Sequence, residues 1–139
     1  MLEHIFWINL FCTLYMTGLI WMVQLVHYPS FAILSSDNWP KYHDHHTNSI
    51  DKIVIPVMSL ELATSGALLW FSDSFFSLES IGFYIVVSIW ISTGLFSVPT
   101  HYKMTDSNSQ ELVNRLVHTN WIRTILWSSK AVIGYISIS

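Results

Sequence analysis

Apolar residues run along this chain in four long blocks with no strand-like alternation between them. The blocks are Ile5–Val26, Ile53–Phe71, Ile81–Val98 and Leu116–Ile138. Each approaches the ~20 residues that a helix needs to cross a hydrocarbon core. Backbone N–H and C=O groups in lipid must be satisfied within the segment, which a helix does. The predicted fold is therefore all-α: an integral membrane, up-down-up-down four-helix bundle forming one domain over residues 1–139. Its helices are expected at about 4–34, 39–72, 80–101 and 109–137.

The polar breaks set those limits. Ser35-Ser36-Asp37-Asn38 interrupts the first block, and Pro40 falls where an opening helical turn tolerates proline. The first helix is expected to continue past Pro29, and the second to open near Asn38. Ser107-Asn108-Ser109-Gln110-Glu111 reads as an N-cap followed by an acidic first turn. The first and third blocks hold no charged side chain, the second holds Glu61, and the fourth holds Arg123 and Lys130. The fourth is thus the weakest span.

Composition agrees with lipid. Hydrophobic residues make up 52% of the chain and charged residues 11%, against about 25% charged in soluble domains. Six Lys+Arg and a net charge of -3 leave no basic patch for nucleic acid. No Gly-rich phosphate loop is present, which argues against a soluble nucleotide-dependent enzyme. The single Cys12 excludes a disulfide framework or thiolate metal site within one chain. The first apolar block lacks a basic leader and exceeds the length of a cleavable signal, so it is expected to be retained. Lys41, Lys52, Lys103 and Arg115 fall at the end holding the first and third connections. The positive-inside rule then predicts that end in the cytoplasm, with both termini outside.

The same end collects His27, His43, His45, His46, His101 and His118, leaving only His4 elsewhere. His43 and His46, three residues apart, share a helix face. His27, on the preceding helix, lies at about the level of His45 across the hairpin, and His101 comes from the second hairpin. Ring nitrogens on facing helices are how bundles build metal sites. Imidazole suits iron, copper or zinc without choosing among them, and Asp44 is available as a ligand or ring-orienting partner. Uncoordinated interfacial histidines are the equal alternative.

A polar stripe continues inward from Gln24 through Thr17 and Thr13, and another from His101 through Ser97 and Thr93. Hydrogen bonding between helices is the favoured explanation of their hydroxyls, with an amphipathic cavity the second. Glu61 stands apart, because an ionisable group inside an apolar block is by default a functional candidate. It follows His46 by 15 residues, about 22 Å of helix, so it cannot join that ligand set. A proton path, a buried hydrogen bond or an ion pair, with Arg123 as one partner, are its open roles.

Gln24-Leu25-Val26-His27-Tyr28-Pro29, Tyr42-His43 with His46, Pro56 followed by Glu61, Pro99-Thr100-His101 and Asn120-Trp121-Ile122-Arg123-Thr124 resemble a group of small bacterial four-helix membrane proteins. That group is distantly similar to the anthrone-oxygenase-like family. The resemblance spans nearly the whole chain, through short motifs. It implies an oxidative enzyme of a bacterial inner membrane with His27, His43, His46 and His101 as its inherited site positions and candidate metal ligands, and with Asn120 and Arg123 shaping the site or holding an anionic group.

The leading expectation is a metal-dependent, oxygenase-like membrane oxidoreductase acting on a hydrophobic small molecule. Glu61, Asn120 and Arg123 are its candidate catalytic residues, Gln24 and Trp121 its candidate cofactor contacts. Iron or copper, then zinc, are the expected metals, with haem b as the alternative cofactor. A non-catalytic accessory subunit contacting haem or quinone is the second expectation, with other membrane subunits or a second copy as partners. A proton-coupled carrier is the third.

Overall fold

The computed structural model describes residues 1–138, and those residues form four long helices. α1 runs over Leu2–Ile33, α2 over Trp39–Trp70, α3 over Leu78–Lys103 and α4 over Gln110–Ile136. The expected limits agree with these to within about three residues. Asn38 precedes α2 and Pro40 sits in its first turn, where a missing N–H costs nothing. Ser77 and Ser109 cap α3 and α4, their side chains accepting from the amides of Ser80 and Leu112. Pro56 lies inside α2 without ending it.

Each helix packs against two others: α1 on α2 and α4, and α3 on α2 and α4. Along each contact the partner's residue numbers fall as the first helix's rise. From α1 to α2 the side chains of Asn9, Thr13 and His27 meet Ser65, Glu61 and His46. From α1 to α4, Asn9, Thr17 and Gln24 meet Lys130, Trp127 and Val117.

The interior mixes an apolar core with many polar side chains, and large apolar side chains cover much of the outside. The buried positions of α4 are Val113, Leu116, Asn120, Arg123, Thr124, Trp127 and Lys130, recurring every three to four residues. Its exposed positions include Trp121, Ile122, Ile125, Val132 and Ile136. Glu61 and Asn9 are also inside, while Phe11, Leu25, Ile55 and Leu95 are outside. α1, α2 and α3 are long and apolar enough to cross a membrane. The fourth block, expected to span like the others, is long enough but carries its charges on the inward face. Its average composition is less apolar than theirs.

α1 and α3 share a device that the sequence pattern did not reveal. Each widens into one π turn, Val23–His27 and Thr93–Ser97, two residues ahead of a proline, Pro29 and Pro99. The amides of Tyr28 and Val98 bond five residues back, to the carbonyls of Val23 and Thr93. Proline cannot donate to the carbonyl four residues before it and its ring crowds that carbonyl, so the wider turn absorbs the mismatch. The two turns lie 70 positions apart in the chain, as do the two prolines. The hairpins thus share more than a proline beside a histidine. α2 packs on the Leu78–Ser92 part of α3, whereas Thr93–Ser97 packs on α4. Beyond Ser92, therefore, α3 leans towards α4.

Candidate functional site

The two π turns aim histidines at one another. His27 closes the first turn, and its Nε2 lies 2.9 Å from His46 Nδ1. His101 follows the second, and its Nδ1 lies 3.2 Å from His43 Nε2. The His46 and His101 rings, 5.6 Å apart between centroids, join the two pairs. His43 and His46 are the inward pair of α2, while His45 is exposed. The hairpin level was therefore off by one position, since His46 rather than His45 meets His27. His118 is exposed, and Asp44 points away, accepting from Asn48 Nδ2 at 3.0 Å. Neither supplements the cluster.

Each N···N contact requires one protonated and one bare nitrogen, so neither pair can be doubly charged while its bond exists. Aromatic rings hold the cluster. Phe31, fully buried, packs its edge near His27 and His46 at 5.0 and 5.3 Å, and Trp39 lies 5.1 Å from His43. Trp39 Nε1 donates to Met104 O at 2.5 Å, tying the start of α2 to the end of α3.

The donor set suits a borderline metal, with four imidazoles and no competing cation among them. Two nitrogens bound side by side on one ion, each by a bond of about 2 Å, stand about 3 Å apart. The separations in both pairs match that spacing. Among the described residues, however, no group of three or more His, Cys, Asp or Glu side chains is disposed to hold one ion. The four histidines stand as two linked pairs rather than the single tetrad expected. Haem fits less well. Opposed imidazoles on one iron would stand about 4 Å apart, and both pairs are closer than that.

A polar chain leaves the cluster towards α4. Tyr28 Oη lies 3.3 Å from His101 Nε2 and accepts from Arg123 Nη2 at 3.3 Å. Nη2 also donates to Asn120 Oδ1 in a short contact, and Asn120 Nδ2 donates to Gln24 Oε1 at 2.8 Å. Gln24 Nε2 donates to the carbonyl of Val117 at 3.1 Å. Asn120 and Arg123 therefore join the site through Tyr28, a participant that sequence reasoning passed over although it stands between His27 and Pro29. Gln24 locks α1 to α4 one layer behind. Trp121, expected near a cofactor, is on the outer face, its ring edge-on to Trp21 at 5.6 Å and 86°. A helical turn of 100° per residue separates it from the inward Asn120.

Below the histidines the bundle holds a cavity of about 220 Å³. Met16, Leu19, Ile20, Val23 and Trp127 form its apolar wall, and Tyr28, His46, His101 and Arg123 form its polar end. Thr93 and Ser97 line it from α3, so these hydroxyls serve the cavity as well as the helix. Asp51 and Val98, both exposed, stand at its rim on α2 and α3, where α3 leans away.

Glu61 belongs to a separate cluster. Its Oε1 accepts from Lys130 Nζ at 3.0 Å and Thr13 Oγ1 at 2.8 Å, and its Oε2 accepts from Trp127 Nε1 at 3.0 Å. Lys130 Nζ also donates to Asn9 Oδ1 at 2.9 Å. The partner of Glu61 is thus Lys130, two turns beyond the Arg123 considered from sequence. Every charged atom of that pair is satisfied, which is what a structural cluster requires.

A scan against protein-family models found no match, and searches of curated proteins and of solved structures found none either.

Proposed function

We propose that the chain is an integral membrane up-down-up-down four-helix bundle and a metal-dependent, oxygenase-like oxidoreductase acting on a hydrophobic small molecule. The observation that carries this reading is the meeting of four imidazoles from α1, α2 and α3, two of which, His46 and His101, line a largely apolar cavity. Polar side chains within the core and large apolar ones outside form the burial pattern that lipid favours. With its charges turned inward, α4 spans as the fourth helix. The basic residues at the histidine end favour the cytoplasmic face for it, and the resemblance to small bacterial proteins favours an inner membrane.

His27 with His46, and His43 with His101, would each offer a metal two ring nitrogens. An iron or copper ion bound there would supply the oxygen chemistry. The chain's own share is orientation. Tyr28 links His101 to Arg123, the apolar wall receives the substrate body, and the gap between α2 and α3 gives a lateral entrance from the bilayer. The resemblance to the anthrone-oxygenase-like family points the same way.

Metal analysis of protein purified in mild detergent from cells supplied with iron, copper and zinc tests this reading. Stoichiometric metal is expected, lost in His46→Ala and kept in His45→Ala. Metal-free protein refutes it. The accessory-subunit reading draws on the exposed Trp70, Phe71, Phe75 and Phe76 at the end remote from the histidines. A larger complex in native-membrane sizing would favour it.

A further inference from the structure

We infer that the cavity binds an apolar monocarboxylate whose carboxylate is received by Arg123. This rests on the reading of the cavity as the substrate site, not on the metal. Arg123 is only 6% exposed, and a guanidinium cannot shed its charge. A buried charge left without a counter-ion is costly. Among the described residues, the one ion pair is Lys130 with Glu61, so no carboxylate of the chain stands against Arg123. Its two hydrogen bonds both leave from Nη2, to Asn120 and Tyr28. Its Nε is buried with no partner at all.

Lys130 makes the contrast. It is equally buried on the same face of α4, and the bundle surrounds it with a carboxylate, an amide oxygen and a hydroxyl. Arg123 instead lines the cavity, and its Nε finds no partner within the chain. The planar fork of arginine matches a carboxylate better than any other small group. The exposed Asp51 at the rim is beyond ion-pairing distance of Arg123. It leaves that charge uncompensated and disfavours an acid lodged at the mouth. Met16, Ile20, Val54 and Trp127 favour an apolar remainder of the ligand, with the hydroxyls of Thr93 and Ser97 beside it. A cavity of about 150 Å³ accepts benzene, so 220 Å³ suits a body of one to two rings or a short acyl chain.

The test uses the full-length protein in neutral phosphatidylcholine nanodiscs, titrated calorimetrically with 2-naphthoate and octanoate and with their uncharged amides. At least one acid is expected to bind about ten- to a hundredfold more tightly than its amide, the range of a charge-assisted hydrogen bond. Arg123→Gln should abolish that preference, and Val54→Trp, which fills the cavity and keeps the arginine, should abolish binding. Equal binding of acid and amide, binding of neither acid, or a preference surviving in either variant overturns the inference. If Arg123→Gln does not fold, the wild-type comparison and Val54→Trp still decide. Metal content, read on the same preparation, separates the two proposals: acid binding by metal-free protein refutes the oxidoreductase and leaves this inference standing.

Discussion

Replacing Lys130 by methionine should act with opposite sign on insertion and on stability. In the folded bundle Lys130 donates to Asn9, Thr13 and Glu61, at 2.9, 2.5 and 3.0 Å. Hydrogen bonds between membrane helices average only about 0.6 kcal/mol, because separated helices find other partners. Three such bonds therefore account for about 2 kcal/mol. Methionine also strands Glu61, 1% exposed, with only Thr13 and Trp127 as donors. Breaking one side of a buried pair costs about 3–5 kcal/mol, and that is the expected loss for Lys130→Met. Adding Glu61→Gln should recover about half of it, since the stranded charge is gone. For the isolated α4 segment, in contrast, removing a lysine should favour insertion, because a central lysine costs about 2.5–3.5 kcal/mol on translocon scales. Reversible unfolding in mixed micelles gives the first quantity, and a glycosylation-mapped insertion assay the second. A loss of stability below about 1 kcal/mol, or single-variant costs that simply add in the double variant, would refute the reasoning.

His27→Ala should release bound metal as His46→Ala does, whereas His118→Ala should not, read by elemental analysis of the purified variants. Trp39→Phe removes the buried bond to the Met104 carbonyl and should cost about 1 kcal/mol, seen as a drop of about 2–4 °C in Tm. Deleting Leu95 takes the extra residue from the second π turn without rotating the downstream helix, whereas deleting Ser88 from regular helix turns everything beyond it by about 100°. Thermal unfolding should show the first protein folded and the second severely destabilised. Trp121→Leu should leave metal content and acid binding unchanged in the same assays, because that ring faces outwards.

The order of apolar blocks, the four helices and the end at which histidines collect were all legible along the chain. These features depend on local properties: block length, caps, prolines and three- or four-residue spacing. The inward face of His43 and His46 followed from the same periodicity. The partner of Glu61 did not follow, since Arg123 and Lys130 lie seven residues apart on one face and only the axial setting of α4 against α2 chooses between them. Trp121 was misplaced because adjacency in sequence to Asn120 is a 100° turn in a helix. The π turns escaped because one extra residue in a helix leaves no mark on an apolar run. They lie beside the cavity and just ahead of the histidine contacts, at Val23–His27 and Thr93–Ser97. The sequence alone determined which segments are helical and which residue types meet at one end. The tertiary structure decided which of them touch, because contact across a bundle depends on the rotation and depth of each helix, quantities that no local pattern carries.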